Sequence, residues 1–372
     1  MAGRNVDRDV RFMRRAIALA RRGEGRVEPN PMVGCVLVRG GRVIGEGYHR
    51  RFGGPHAEVE ALGSCTGARG ATAYVTLEPC CHYGKTPPCT KSLIDAGVSR
   101  VVVGCLDPNE KVSGGGLKLL KKAGVETAVG IEEATACQLI LPFRRWVVDH
   151  RPYVIAKWAQ SIDGKIATRT GASNWISGAS SRRLVHRLRA RVDAVMAGSG
   201  TVRIDDPRLT ARGVRIRRRA ARVVWDTRLR TTSACNVVAD TSAAPTIILT
   251  ARKNVESRAA AILRAKGVDI LGCRTARGGL SVRDGLRKLA QRGMTNVLLE
   301  GGAMLTASFI DAGLVDEAWV FVAPLVLGGT GAPSALPGRG FASLDDARRR
   351  VHVASRRVGE DHFYKVRFLT SD

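Results

Sequence analysis

The stretch TLEPCCHYGKTPPCT, residues 76–90, places three cysteines within ten positions. Cys80 and Cys81 are adjacent, and eight residues separate Cys80 from Cys89, so the stretch lacks the CxxC spacing of a zinc knuckle. Two adjacent cysteines bind one metal ion only through a strained turn. We therefore expect Cys80 and Cys89 to act together, with a partner elsewhere in the chain, and we assign Cys81 no catalytic role.

The partner is PHAEVEAL, residues 55–62, in which His56 and Glu58 open an amphipathic helix after a Gly-Gly-Pro turn. A catalytic zinc ion takes three protein ligands and keeps one position for water, and His56, Cys80 and Cys89 supply three. Positions i and i+2 lie on different sides of a helix, so its first turn must face the metal end-on. Two thiolates neutralise the charge of the ion, so the water needs a separate carboxylate, Glu58, as its base.

A second helix is predicted to begin at the last of these cysteines. Thr86 is the expected N-cap, Pro87 suits the first turn, and Cys89 follows within that turn. A helix N-terminus favours thiolate over thiol, which prepares a metal ligand. The alternative is a histidine at a helix start with unrelated structural cysteines.

The net charge of +27 over 372 residues raises the question of a nucleic-acid partner. Most of the 60 basic residues are arginine and are spread along the whole chain. Only RGVRIRRRAAR, residues 212–222, is concentrated, and it lacks interleaved aromatic residues. The charge attracts a phosphorylated small molecule equally well, and we expect no nucleic-acid partner.

Nothing in the sequence predicts a membrane protein. No apolar run approaches the roughly 18 residues of a spanning helix. The N-terminus lacks the apolar core of a signal peptide and reads as an amphipathic helix, with Val10, Met13, Ile17 and Ala20 on one face. We expect a cytoplasmic protein.

Strand-like and helical runs alternate along the chain, which predicts an α/β fold with largely parallel sheets. The rhythm pauses at ILPFRRWVVDHRPY, between Pro142 and Pro152, so we place a boundary near residue 150 and expect domains at 1–150 and 151–372. The predicted strands of the first domain are MVGCVLV, RVIGEG, TAYVTL and RVVVGC. Those of the second are YVIAKWAQS, AVMAG, RVVWD, TIILT and NVLLE, with helices at SRRLVHRLRAR and 255–265.

The combination of HAE with TLEPCCHYGKTPPC resembles the pyrimidine deaminase of riboflavin biosynthesis, which implies a cytidine-deaminase-like three-layer domain. Cytidine and tRNA-adenosine deaminases normally have PCxxC, whereas the riboflavin family has the longer loop and uses it to hold the substrate. Serine is usual in the family where this chain has Cys81. The resemblance implies substrate contacts at Asn30, His49, His82 and Lys85. Alternatively, Asn30 is a turn residue between prolines and His49 a solvent-facing loop residue.

The second half carries KWAQSIDGKIATRTGASNWISG (157–178), MAGSGTVRIDDPRLTAR (196–212) and NVLLEGGAMLTASFIDAG (296–313). No GxGxxG motif follows its first strand, but the Gly301-Gly302 turn before a helix is a workable pyrophosphate cradle, or simply a tight strand–helix turn. From about Tyr153 to Val326 this half resembles the reductase domain of the same bifunctional family. The resemblance implies a dihydrofolate-reductase-like fold and NADPH as cofactor.

The resemblance also implies the residues of the reductase site. The positions expected to contact NADPH are Ala159, Trp175, Thr201, Asp205, Gly302, Ala303, Met304, Leu305, Thr306, Ala307 and Ser308. The expected substrate positions are Ser173, Arg189, Leu209, Arg212 and Glu300. Arg189 and Arg212 suit a sugar phosphate, although solvated surface arginines are the alternative. Asp205 is a candidate proton carrier or a turn residue before Asp206-Pro207, and Lys157 is a candidate for orienting the sugar.

These observations predict a bifunctional riboflavin-pathway enzyme with one zinc ion per chain. The first domain would deaminate 2,5-diamino-6-ribosylamino-4(3H)-pyrimidinone 5′-phosphate, and the second would reduce the ribosyl group with NADPH. The resemblance implies a homo-oligomer. A zinc deaminase of nucleosides or tRNA adenosine with an accessory domain, and a non-enzymatic zinc-binding module, are the alternatives.

Overall fold

The computed structural model describes residues 2–83, 87–110, 112–276, 278–340, 342–347 and 351–368, and the side chains of these except at 2–5 and 346–347. The chain folds as two compact units, residues 1–150 and 151–372. Each unit has its own sheet and its own core.

The first unit is built on a five-stranded sheet with the strand order β2-β1-β3-β4-β5. Its strands are β1 (Gly34–Arg39), β2 (Arg42–Tyr48), β3 (Thr72–Leu77), β4 (Arg100–Cys105) and β5 (Glu126–Val129). Its helices are α1 (Ala2–Ala20), α2 (Ala57–Gly63), α3 (Cys89–Asp95), α4 (Gly115–Lys122), α5 (Glu133–Leu139) and α6 (Leu141–Val148), with a 3₁₀ turn at Arg21–Gly23.

This sheet is less parallel than the sequence predicts. Strand β1 pairs antiparallel with both β2 and β3, and only β3, β4 and β5 run parallel. The reason lies in the turn between β1 and β2, where Gly40 and Gly41 both have positive φ, 59° and 75°. Two such residues form the tight turn that suits the twist of a hairpin, so the chain reverses without a crossover helix.

Helices cover both faces of this sheet because successive strand residues point to opposite sides. On one face Val36, Tyr74 and Val102 pack against α1 and α5. On the other face Leu37 and Val75 pack against α2, α3 and α4. The three-layer arrangement predicted for this unit is therefore confirmed.

The predicted amphipathic face of α1 is largely buried. Met13, Ile17 and Ala20 are buried, whereas Val10 is only partly covered. The helix extends over Ala2–Ala20. Beside Val10 the buried carboxylate of Asp9 accepts hydrogen bonds from the guanidinium of Arg100 at 2.9 and 3.0 Å.

The segment around Pro142, predicted as a pause in the alternation, is helical. Pro142 lies in the first turn of α6, where its missing N–H costs no hydrogen bond. Proline is well suited to the start of a helix, so the predicted pause in the alternation is a helix of its own. The second unit starts after this helix, with Pro152 directly before its first strand.

The second unit contains a nine-stranded sheet with the order β10-β9-β8-β7-β13-β6-β14-β16-β15. Its strands are β6 (Tyr153–Gln160), β7 (Ala194–Gly198), β8 (Ala221–Trp225), β9 (Thr246–Ala251), β10 (Val268–Cys273), β13 (Asn296–Glu300), β14 (Glu317–Val322), β15 (Val351–Val358) and β16 (Asp361–Phe368), while β11 (Thr275–Ala276) and β12 (Gly279–Leu280) form a separate small hairpin. Its helices are α7 (Ala179–Arg189), α8 (Ser199–Asp205), α9 (Asn236–Ala239), α10 (Arg258–Ala265), α11 (Val282–Ala290), α12 (Ala303–Asp311) and α13 (Leu344–Ala347), with a 3₁₀ turn at Arg252–Asn254.

The sequence pattern predicts no strand after NVLLE, and the structure adds three. Strand β14 pairs parallel with β6, and β16 and β15 follow it as an antiparallel hairpin. Every residue of β15 from Val351 to Arg357 is exposed, so neither face of this strand packs against the core. The alternation of apolar and polar residues that predicts a strand from sequence comes from having one buried face.

The arginine-rich run at 212–222 is partly structural. Arg222 lies in β8, is 1% exposed, and donates to the backbone oxygens of Asn236, Asp240 and Ala244. Arg218 forms an ion pair with the buried carboxylate of Asp193 at 2.5 Å. These arginines therefore hold neighbouring segments of the second unit together.

Candidate functional site

The first candidate site lies where β3 ends and two helices begin. His56 is the N-cap residue of α2, Cys80 follows β3, and Cys89 is the first residue of α3. One ligand atom from each of the three lies within 4.8 Å of the others. The Nδ1 atom of His56 is 3.3 Å from Cys89 Sγ and 3.7 Å from Cys80 Sγ. One imidazole nitrogen and two thiol sulfurs at these separations suit a tetrahedral zinc ion.

The beginning of α3 differs from the prediction. Pro88 is the N-cap residue, and the helix starts at Cys89, so Cys89 occupies the first helical position. The predicted N-cap Thr86 and the predicted substrate residue Lys85 lie outside the described residues. Cys89 nevertheless lies at a helix N-terminus, as predicted. This position favours the thiolate form of the side chain.

The side chains of Cys80 and Cys89 interact with each other. The Cys89 thiol donates to Cys80, and this hydrogen bond lowers the pKa of Cys80 to about 4. The same contact and burial raise the pKa of Cys89. The Cys89 peptide N–H also donates to Cys80 Sγ, at 3.3 Å. A divalent cation would bind both residues as thiolates, because only thiolates are good ligands.

Glu58 lies in the first turn of α2 and is 3% exposed. Burial, and next the negative charge of Cys80, raise the pKa of Glu58 to about 7. Its carboxyl group contacts the Cys89 side chain and, together with His56 and Cys80, lines a cavity of about 360 Å³. A divalent cation in this cluster would act in the opposite direction and favour the carboxylate. Such a group can take a proton and return it.

Asn30 and His49 line the same cavity, and the His49 ring lies edge-on to the His56 ring, with 5.5 Å between the ring centres. His49 is 3% exposed, so the alternative of a solvent-facing histidine is wrong. Its Nδ1 is 2.9 Å from the carbonyl oxygen of Pro55 and its Nε2 is 3.1 Å from Asn30 Nδ2. The carbonyl requires a proton on Nδ1, so Nε2 accepts from the Asn30 amide. Burial lowers the pKa of His49, which favours this neutral form.

Sequence reasoning missed three acidic or amide residues of this cavity: Glu78, Asp107 and Asn109. Asp107 and Asn109 follow β4, whose carboxyl end adjoins that of β3. The signal that could have found them is their position after RVVVGC, since the carboxyl ends of adjacent parallel strands form one edge. Glu78 accepts backbone hydrogen bonds from Gly114 and Leu117, so it anchors the start of α4.

His82 lines the cavity, as predicted for a substrate residue, whereas Cys81 has different surroundings. The Cys81 sulfur lies 3.0 Å from where a Cβ atom on Gly115 would be, at the start of α4. Among the described residues, the cluster with metal-ligand separations contains His56, Cys80 and Cys89 and leaves Cys81 out.

The second candidate site is a cavity of about 400 Å³ at the carboxyl ends of β6 and β13. Eleven predicted residues line it: Lys157, Ala159, Ser173, Trp175, Arg189, Asp205, Arg212, Glu300, Gly302, Ala303 and Thr306. Strands β6 and β13 are adjacent and parallel, with Lys157 directly opposite Glu300. The sheet register therefore brings together residues that are distant in sequence.

A charged group of three residues forms one side of this cavity. The Arg189 guanidinium donates to both oxygens of Glu300, at 2.5 and 2.7 Å, and to the carbonyl oxygen of Thr210 at 3.1 Å. The alternative of a solvated Arg189 is wrong, since the pair is largely buried. Burial alone would raise the pKa of Glu300, but the charge and hydrogen bonds of Arg189 outweigh it and hold that pKa below its usual value. Burial lowers the pKa of Lys157.

Arg212 and Asp205 reach the cavity from the segment after β7. Arg212 is exposed and donates to the Thr210 hydroxyl at 3.2 Å, so it has donors left for a ligand. Burial raises the pKa of Asp205. Leu209, the remaining predicted substrate position, is 2% exposed and has a positive φ of 51°. Its side chain is therefore inside the protein.

The Gly301-Gly302 turn is shaped by a close neighbour. Both glycines have positive φ, 75° and 78°, and a Cβ atom on Gly301 would lie 2.9 Å from Thr201 Cγ2. Gly302 is the N-cap residue of α12. The turn thus needs glycine at both positions, and Thr201 supports it from α8. The helix start leaves backbone N–H groups free for a phosphate.

The predicted cofactor residues on α12 differ in their surroundings. Ala303 and Thr306 line the cavity, while Met304 is 69% exposed. Leu305 packs against the core of the second unit and Ala307 is buried. The Ser308 hydroxyl donates to the carbonyl oxygen of Met304 at 2.9 Å. The helix therefore presents its first turn to the cavity.

Within the described ranges, the helices are all too short or too polar to cross a membrane. The site and the fold together define a class of protein, a zinc-type deaminase joined to a reductase. The model of the cytidine and deoxycytidylate deaminase zinc-binding region matches residues 6–105. The model of the RibD C-terminal domain matches residues 152–362.

The relatives extend over nearly the whole chain. The riboflavin biosynthesis protein RibD of Actinobacillus pleuropneumoniae is 40% identical over 95% of this chain and 93% of its own length. RibD of Escherichia coli is 38% identical over 95% of this chain and 97% of its own length. This chain belongs to the RibD family of bifunctional riboflavin biosynthesis enzymes, so the predicted family, with a deaminase and a reductase, is confirmed.

Solved structures agree over the full length. A RibD structure from Acinetobacter baumannii has a TM-score of 0.85 at 35% identity, covering 98% of this chain and all of that one. The diaminohydroxyphosphoribosylaminopyrimidine deaminase/5-amino-6-(5-phosphoribosylamino)uracil reductase of Thermotoga maritima has a TM-score of 0.86 at 34% identity, with the same coverage. The predicted combination of a cytidine-deaminase-like and a dihydrofolate-reductase-like domain is thereby confirmed.

Proposed function

We propose that residues 1–150 form a zinc-dependent deaminase domain in which His56, Cys80 and Cys89 bind one zinc ion. The observation that carries this proposal is the convergence of these three side chains beside the buried carboxyl group of Glu58. The nitrogen and two sulfurs match the preference of zinc for soft and borderline ligands. When bound, zinc polarises the attacking water and makes it acidic.

Glu58 would carry the proton in this reaction. Its carboxylate takes a proton from the attacking water as the new C–O bond forms, and then gives a proton to the amino group as the C–N bond breaks. Water enters and ammonia leaves, so no other reactant is needed. The cavity of about 360 Å³ has room for a pyrimidine ring beside these side chains.

The substrate in this proposal is 2,5-diamino-6-ribosylamino-4(3H)-pyrimidinone 5′-phosphate. Asn30, His49 and His82 would contact it, and the newly identified Asp107 and Asn109 offer further hydrogen-bond partners for ring atoms and amino groups. Lys85 stays a prediction for the phosphate. The name of the Thermotoga maritima protein, which refers to a phosphoribosylaminopyrimidine, supports this substrate class.

We further propose that residues 151–372 form a reductase domain that uses NADPH. Hydride would pass to C1′ of the ring-opened ribosyl group, and a protein carboxyl or ammonium group would supply the proton that completes the ribitylamine. Lys157 and Asp205 line the cavity and suit this proton transfer, and the ionised Glu300 suits the orientation of the sugar. The Gly301-Gly302 turn and the first turn of α12 would hold a phosphate group of the cofactor.

The paired state of Arg189 changes its proposed role. Since its guanidinium already binds Glu300 and Thr210, Arg212 is the better candidate for the sugar phosphate. Arg189 would keep Glu300 ionised beside the substrate. A cytoplasmic location, a homo-oligomeric state and the lack of a nucleic-acid partner stay predictions.

A coupled assay tests the whole proposal. Purified protein is given the diaminopyrimidine phosphate and NADPH, and ammonia release and NADPH oxidation are followed with and without a zinc chelator. We expect one NADPH oxidised per ammonia released, and loss of both signals with chelator. Deaminated substrate should then restore NADPH oxidation but not ammonia release. Release of ammonia from tRNA adenosine, with none from the pyrimidine phosphate, would instead establish the alternative deaminase.

A further inference from the structure

One wall of the reductase cavity is a short irregular segment, residues 173–178, between β6 and α7. We call it the wall segment. Ser173, Trp175 and Ser177 line the cavity, and Trp175 is 71% exposed. Because the large Trp175 side chain is mostly exposed, core packing stabilises this segment little. Other contacts must therefore hold its conformation.

Arg182, in the second turn of α7, fixes the wall segment from one side. Its guanidinium Nη1 donates to the carbonyl oxygen of Ser177 at 2.6 Å. Its Cζ atom lies 4.6 Å from the centre of the Trp175 indole ring, a cation–π arrangement. Arg182 itself lines the cavity, although the sequence pattern predicts no role for it.

Asp361 fixes the wall segment from the other side. It is the first residue of β16 and is 1% exposed. Its Oδ2 accepts a hydrogen bond from the Gly178 peptide N–H at 2.9 Å, at the N-cap position of α7. A carboxylate at this position is favoured by the free N–H groups of the helix start. The C-terminal hairpin therefore has a direct contact with the cavity wall.

We propose that Arg182 and Asp361 are positioning residues for the reductase site, which hold the wall segment so that the Trp175 ring forms a preorganised face for NADPH. The proposal rests on the proposed reductase function, and in particular on Trp175 as a cofactor contact. Holding the ring before binding lowers the entropy cost of binding. These residues therefore set the affinity for NADPH, while Lys157, Asp205 and Glu300 act at the reacting atoms.

The first test is Arg182→Gln in the full-length protein, with reduction of supplied deaminated substrate as the reaction. We expect the KM for NADPH to rise roughly tenfold or more, as for loss of a charge-assisted hydrogen bond, with kcat changed less than about twofold. Arg182→Lys keeps the charge but not the planar stacking, so its KM should be intermediate. Arg183→Gln is the matched control, since Arg183 is exposed and lines a separate recess with Arg187 and Arg356.

A spectroscopic measurement separates positioning from general stabilisation. Energy transfer from tryptophan to bound NADPH is measured in the wild type, in Trp175→Phe and in Arg182→Gln at saturating cofactor. The energy transfer that is lost in Trp175→Phe is the contribution of Trp175. We expect Arg182→Gln to lose most of that contribution. The proposal would be overturned if Arg182→Gln had the same kinetic constants and energy-transfer signal as Arg183→Gln. It would also be overturned if Arg182→Gln lost kcat in parallel with a lower Tm.

Asp361 is tested with Asp361→Ala and Asp361→Asn. The alanine variant should raise the KM for NADPH in the same direction, and asparagine, which keeps an acceptor oxygen, should restore most of the affinity. If Asp361→Ala does not fold, the asparagine variant and Arg182→Gln decide. Failure of the proposed function would show as a wild-type protein that oxidises no NADPH, whereas failure of this inference leaves the wild type active and Arg182→Gln unchanged.

Discussion

At the scale of single residues, Cys80 and Cys81 are adjacent in the sequence but have different surroundings in the structure. The Cys80 sulfur lies with His56 and Cys89, whereas the Cys81 sulfur lies against the start of α4. We expect Cys80→Ser to weaken zinc binding by more than about 100-fold, because it removes a direct ligand. Cys81→Ser should keep one zinc ion per chain.

Metal analysis after dialysis, together with ammonia release, measures both variants. Wild-type zinc content in Cys80→Ser, or loss of zinc in Cys81→Ser with an unchanged Tm, would contradict the proposed ligand set. The neighbouring cysteine thus serves as the matched control for chemistry and size.

The second prediction at this scale concerns the ionisation of Glu300. Because Arg189 holds the pKa of Glu300 below its usual value, the paired carboxylate stabilises the folded protein at neutral pH, and this contribution is lost as the pH falls through the folded pKa. In Arg189→Met burial dominates, so the pKa of Glu300 rises. The acid limb of the reduction rate should then move to higher pH by about one pH unit or more.

The pH profile of kcat on supplied deaminated substrate checks this expectation. Arg187→Met is the control, since Arg187 is exposed on the same helix. A lower rate in Arg189→Met with the wild-type pH profile would mean that Arg189 does not control the charge of Glu300.

At the scale of elements, the packing of α1 on β1 depends on one glycine. A Cβ atom on Gly34 would lie 2.1 Å from the carbonyl oxygen of Ala16 and 2.8 Å from the nitrogen of Ala20. Gly34→Ala must therefore push α1 away from the sheet, and we expect a loss of about 3 kcal/mol in the free energy of unfolding.

Thermal and denaturant unfolding measure this loss. Gly63→Ala is the control, because a Cβ atom there would have no described atom within 4 Å beyond its chain neighbours and its own helix backbone, and alanine favours the helix α2. The control should change stability by less than about 1 kcal/mol. Equal stability of Gly34→Ala and the wild type would show that α1 does not pack as closely as this.

The predictability of elements follows their local pattern. The α1 helix and strands β1 to β4 were predicted because apolar periodicity marks them. Three features were not predicted, because apolar periodicity does not mark them. The antiparallel pairing of β1 and β2 depends on turn geometry, and α6 begins with a first-turn proline. Strand β15 lies at an exposed edge of the sheet. Within the zinc site, the ligand types were predictable, while Asp107 and Asn109 required the order of the strands.

At the scale of the whole molecule, the two proposed activities belong to different units with separate cavities. We expect Glu58→Gln to lower deamination by at least about 1,000-fold while zinc stays bound, because the proton carrier is lost but no ligand is. Reduction of supplied deaminated substrate should stay within about twofold of the wild type.

Ammonia release, NADPH oxidation and zinc content are measured on the same preparation. Loss of both activities in a folded, zinc-containing Glu58→Gln protein would contradict the proposal of two independent sites. Retention of both would remove Glu58 from the mechanism.

The local sequence specifies the kinds of groups present: a histidine, two cysteines and a glutamate near helix starts, a double-glycine turn, and the alternation of strands and helices. Each of these is encoded within a few neighbouring residues. The tertiary structure decides which groups meet, because sheet register and long-range packing join distant segments. It pairs Arg189 with Glu300, 111 positions away, and brings Asp361 to the wall of the reductase cavity.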